Sequence, residues 1–121
     1  MVQPEIDGIK YGNVLDLVEA ELGFRPRIVE GAVGLTVGTT AVQLVPQDGR
    51  RAALFIVNLS VNGIVVRPRG TAVMTTGVRL IPQGGSVMML WKEDLILPVY
   101  EWSIIADATD SEYWLIEYMI Q

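Results

Sequence analysis

From Ala32 onward, glycine, proline, asparagine or aspartate cuts every β-forming run of this chain short. Breaks at that spacing leave little room for helices, and stretches rich in Val, Ile, Thr and aromatic residues read as strands. Val33 to Val45 forms the first such stretch, closed by the turn Pro46-Gln-Asp-Gly49. Ala52 to Val57 and Ile64 to Val66 follow, then Val78 to Leu80, Val87 to Trp91, Trp102 to Ala106 and Tyr113 to Ile120. Pro82 confines its neighbourhood to a sheet edge or a strand end. Gly84-Gly85 reads as a hairpin turn, Lys92 to Asp94 as a charged turn, and Phe24 to Glu30 as a connection or a short strand. About seven to nine short strands at turn spacing predict a mostly β chain, an antiparallel β-sandwich or jelly-roll-like domain.

The clearest unit runs from Arg51 to Arg67. Asn62-Gly63 lies between its two apolar runs, and both residues tolerate positive φ, so a hairpin is expected. Pairing around that turn gathers Arg51, Arg67 and Arg69 at the open end. Three cations so close call for acidic partners or an anion.

The N-terminal third differs. Met1 to Gly12 reads as an extended arm. Asn13 then suits an N-cap, Val14, Leu17, Val18 and Leu22 recur at helical spacing, and Gly23 suits the position after the last turn. One short amphipathic helix over residues 13–22 is expected. At that length it must dock on its own domain or on a neighbour. The division is therefore an arm and helix over residues 1–31 and a sandwich over residues 32–121.

Composition limits the chemistry. The chain has no cysteine and no histidine. Disulfides, thiolate or imidazole zinc sites and histidine-dependent nucleophiles are excluded, and no enzyme activity or cofactor is expected. Half of the 121 residues are hydrophobic and 19% are charged, so covered apolar surface between copies is expected. No run is long enough for a membrane helix, and the first residues lack the basic and apolar regions of a signal peptide. The net charge of −5 is segregated. Residues 50–79 hold five arginines and no acid, whereas residues 80–121 hold seven acids and one base. Either the basic segment lies beside acidic strands of the same domain, or a basic face of one subunit meets an acidic face of the next. An acidic chain without a recognised motif disfavours nucleic acid.

Two further groups are candidate sites. Asp107, Asp110 and Glu112 fall in one loop and are weak candidates for an oxygen-ligated cation, although their spacing does not match an EF-hand loop. A solvated turn is the simpler reading. Trp91, Tyr100 and Trp102 lie near Glu93, Asp94 and Glu101, a composition suited to a saccharide cleft, with core aromatics as the simpler reading.

The order of segments Arg51-Ala-Ala-Leu-Phe-Ile-Val-Asn-Leu-Ser, Gly77-Val-Arg-Leu-Ile-Pro-Gln-Gly-Gly, Trp102-Ser-Ile-Ile-Ala-Asp and Leu115-Ile-Glu-Tyr resembles the small β-sandwich virion proteins of tailed bacteriophages, among them capsid decoration proteins and head or tail accessory proteins. The resemblance covers roughly residues 50–120 and excludes the helix. It implies a structural virion protein made in the host cytoplasm. Such a protein forms a homo-oligomer, often a trimer, and binds a major capsid protein or another virion protein. It carries over no catalytic residue. On this reading Arg51, Arg67, Arg69 and the helix residues Val14, Leu17 and Val18 supply contacts. The alternative is a carbohydrate- or receptor-binding module.

Overall fold

The computed structural model describes residues 5–6, 9–10, 14–23 and 25–120. Strands β1 (Glu5–Ile6) and β2 (Ile9–Lys10) pair with each other, and helix α1 (Val14–Leu22) follows. The expected Asn13 cap and most of the arm lie outside the described residues. Gly23 ends α1 as its chemistry predicts: φ is +79° and its N–H donates to Glu19 O at 2.8 Å.

The remaining strands are β3 (Pro26–Glu30), β4 (Thr36–Val37), β5 (Val42–Val45), β6 (Arg51–Asn58), β7 (Ile64–Pro68), β8 (Val78–Leu80), β9 (Ser86–Leu90), β10 (Trp102–Ala106) and β11 (Ser111–Ile120). One-turn helix α2 (Trp91–Asp94) and a 3₁₀ turn (Leu97–Val99) join β9 to β10. Sheet I has the order β3-β11-β6-β9, with β4 added beside β11, and sheet II the order β5-β10-β7-β8. All these pairings are antiparallel.

This order is that of a jelly roll. The chain forms one long hairpin with pairs β3·β11, β5·β10, β6·β9 and β7·β8, and the hairpin is rolled so that β11 also meets β6 and β10 also meets β7. The core lies between the sheets. Leu54, Ile56, Met89 and Leu115 face Ile64, Val66, Trp102 and Ile104 across it. Alternation is plain in β10, where Trp102, Ile104 and Ala106 are buried and Ser103 and Ile105 are half-buried.

Three sequence expectations change. Strands β6 and β7 do not pair, since they lie in different sheets, and neither Asn62 nor Gly63 has a positive φ. The segment between them crosses the sandwich, and the apex of the long hairpin is residues 69–77 instead. Gly84-Gly85 likewise joins strands of different sheets. Gly85 is needed for closeness, because a Cβ there would stand 2.4 Å from both Ile81 N and Ile81 O. Finally, β3 pairs along β11, so the sandwich begins at Pro26 rather than at residue 32.

Candidate functional site

Two buried polar residues mark the ends of the central strand β6. At its start the register slips: Tyr118 opposes Ala53, but Met119 opposes Arg51, leaving Ala52 as an extra residue. Such a bulge re-aims the side chains beyond it. Arg51 therefore turns to the core side, where Glu117 also points, since Glu117 lies opposite core residue Leu54. Arg51 Nε donates to Glu117 Oε2 at 2.8 Å. Nη1 donates to the carbonyls of Pro98 (3.1 Å) and Tyr100 (3.3 Å), and Nη2 to that of Pro46 (2.9 Å). The Arg51 side chain is 1% exposed. Its donors are satisfied within the chain, so it offers nothing to a partner or lattice.

At the other end Asn58 is fully buried. Its Nδ2 donates to the carbonyls of Asn62 (2.7 Å), Leu80 (3.0 Å) and Ile81 (3.2 Å). Its Oδ1 accepts from Ser60 N (2.9 Å) and Ser60 Oγ (2.7 Å). This network locks the 59–62 crossing to the residue following β8, and Leu59, Val61 and Ile81 project from it into solvent.

The arginine cluster does not form. Arg67 and Arg69 lie at the end of β7, where Arg67 Nη1 donates to Thr71 O at 3.0 Å. The Arg69 guanidinium sits over the Tyr100 ring, 5.1 Å from its centroid. Arg50 pairs with Asp48 at 3.6 Å. The Asp48 carboxyl is held below its ordinary pKa, chiefly by the hydrogen bond it accepts from the Arg50 N–H and further by the Arg50 and Arg51 charges.

The three acids of the loop are dispersed. Asp107 Oδ2 accepts from Gly63 N at 3.1 Å, tying β10 to β7. Among the described residues no group of three or more Asp, Glu, His or Cys side chains converges on a common point. Asp110 has φ +54° in the turn before β11, and Glu112 already belongs to that strand.

The aromatic trio is dispersed too. Trp102 is 2% exposed in the core, with Nε1 donating to Leu97 O at 3.1 Å, so it cannot serve as a platform. Trp91 opens α2, where the expected charged turn is helical and Asp94 Oδ2 accepts from Leu90 N at 2.8 Å. Glu93 lies in the same turn of helix. On α1, Val14 is exposed, and the side chains of Leu17 and Val18 are outside the described set. Lys92 Nζ donates to Glu21 O at 3.2 Å, placing the end of α1 beside α2.

Sequence reasoning missed the contrast between the two outer sheet faces. The hairpin apex covers the middle of that of sheet II. There Ser103 Oγ donates to Gly70 O (2.6 Å) and accepts from Ala72 N (2.7 Å), and Ala72 is fully buried. The outer face of sheet I is apolar across all four long strands. Register places Ile28, Tyr118, Ala53 and Leu90 in one row, Glu30, Ile116, Phe55 and Met88 in the next, and Trp114 and Val57 beyond. Ile28 is 62% and Met88 52% exposed, and Phe55 meets Trp114 edge-on at 6.5 Å. The row's carboxylate, Glu30, accepts from Trp114 Nε1 at 3.0 Å. The two-sided apolar character of Tyr113–Ile120 was the available signal.

A comparison with protein-family models, curated proteins and solved structures finds no match.

Proposed function

We propose that this jelly roll is a structural virion protein, a capsid-decorating subunit whose copies associate through the outer face of sheet I. The contrast between the outer faces carries the reading. One has its own cover, and the other leaves Ile28, Phe55, Met88, Ile116 and Tyr118 beside one another. A contiguous apolar sheet surface of this kind marks an interaction site. Its centre bears no charge, so copies of a chain with net charge −5 can meet there without opposing like charges. Three copies turning this face toward a common axis form a closed assembly. Binding to an assembled shell then stabilises that shell by mass action and requires contact area rather than chemistry.

Light scattering on the purified chain tests the first part. The expected result is a mass several times the 13.3 kDa of one chain, falling to one chain when Ile28→Lys and Met88→Lys are combined. Both side chains are exposed, so the fold tolerates the change. A monomeric wild type, or a variant that keeps its mass, refutes the interface. Co-sedimentation with assembled phage heads tests the second part, and failure to co-sediment overturns the decorating role.

A further inference from the structure

We propose a second, independent site: a shallow groove on the outer face of sheet II that binds acidic sugars of the uronic-acid class. The groove encloses about 300 Å³ and is lined by Val42 and Gln43 of β5, Arg69 and Thr71 of the hairpin apex, and Glu101 and Ser103. Its walls are rigid before any ligand arrives. Arg67 holds Thr71 O, Ser103 holds Gly70 O and Ala72 N, and Arg69 N donates to Glu101 O at 3.0 Å. Preorganised donors lose little entropy on binding.

Arg69 is the anchor. Its backbone takes the left-handed conformation, φ +61°, which a non-glycine residue adopts at a cost. Its guanidinium stacks on Tyr100 and is exposed, and among the described residues it has no ion-pair partner. A stacked guanidinium with free N–H groups recognises a carboxylate or a phosphate in bidentate fashion. Glu101 decides between these. A second carboxylate in the same groove opposes a dianion or a polyacidic peptide, yet accepts hydrogen bonds from hydroxyl groups. Gln43 and Thr71 add an amide and a hydroxyl suited to the same task. One cation, one hydroxyl acceptor and two neutral hydrogen-bonding groups match a monoanionic sugar bearing vicinal hydroxyls. Arg69 occupies the Tyr100 ring, so no aromatic face remains for stacking and single-site affinity is weak, about millimolar. An oligomer would present several grooves at once and multiply it. The groove lies on the opposite side of the sandwich from the sheet I face, so it stays open whether or not copies associate.

Calorimetric titration of the full chain with methyl galacturonoside, and with methyl galactoside as the neutral control, tests the assignment. Saturable binding of methyl galacturonoside at least tenfold stronger than of methyl galactoside is expected. Arg69→Asn, which tolerates the left-handed backbone, should abolish that preference while the melting temperature holds. Glu101→Gln should weaken binding of the sugar and strengthen binding of a hexaglutamate peptide. No saturable binding of methyl galacturonoside, equal binding of the two sugars, a preference that survives in Arg69→Asn, or hexaglutamate binding as well as methyl galacturonoside would each overturn it.

Discussion

Replacing Arg51 by alanine should be among the most damaging single changes in the chain. The substitution removes a side chain that is 1% exposed and makes four hydrogen bonds, one to Glu117 and three to the carbonyls of Pro46, Pro98 and Tyr100. Breaking a buried ion pair from one side costs about 3–5 kcal/mol, because the remaining charge and acceptors are left unpaired. The Glu117 side chain is 18% exposed, so water reaches it and the lower part of that range applies, about 3–4 kcal/mol. Unfolding entropy near 2.1 cal/mol/K per residue gives about 0.25 kcal/mol/K for 121 residues. The melting temperature should therefore fall by about 12–16 °C. Thermal and urea unfolding followed by circular dichroism, at several protein concentrations, would measure it. Glu117→Gln keeps an oxygen acceptor for Nε and should cost less, about 1–2 kcal/mol. In a double-mutant cycle the two residues should couple by more than about 1 kcal/mol. A drop below about 4 °C for Arg51→Ala would show that the pair is solvated in solution and that the bulge does not bury it.

Asn58→Ala should cost about 2–3 kcal/mol, and Asn58→Asp more, since it turns a carboxylate toward the carbonyls of Asn62, Leu80 and Ile81. The Asp variant should lose less at pH 4 than at pH 7, as chemical denaturation would show. Gly85→Ala and Gly77→Ala should each cost about 2–3 kcal/mol by overpacking, since a Cβ would stand 2.4 Å from Ile81 N and 2.6 Å from Val66 O respectively, whereas Gly49→Ala, with no atom within 4 Å, should be neutral in the same assay. Burial raises the Tyr113 phenol pKa. The stability Tyr113 contributes is thus complete below the unfolded-state value and declines as pH rises above about 10, so Tyr113→Phe should flatten the alkaline arm of the stability–pH curve.

Local chemistry was legible where it acts locally. The Gly23 stop of α1, the strand at Trp102–Ala106 and the two-sided apolar run ending at Ile120 follow from residue types alone. Strand partnership did not follow. Asn62-Gly63 announces a change of direction but not which strand lies beside the next one. Asn58 decides the matter by capturing Ser60 and Asn62 and ending β6 inside the core. Arg51 was misplaced for a related reason. Its charge suggests a surface, and only the extra residue Ala52 turns it inward. The available signal was Glu117, a carboxylate in the middle of an apolar strand, because such a group calls for a buried cation. The saccharide reading of Trp102 failed because its indole fills the core. Arg69 and Glu101 beside it do share a groove, which spacing alone could not show.

The position of β11 sets the order in which this molecule can come into being. The last strand of the sandwich lies between β3 and β6, and it separates strands made early in synthesis. Sheet I therefore cannot close on the ribosome until Ile120 has emerged. Until then β3 has no neighbour within the sheet, and the outer rows do not exist as a surface. Pairings between such distant segments also make folding slow. The face through which copies are proposed to meet is thus completed last, and nascent chains crowded on one message cannot join through it prematurely.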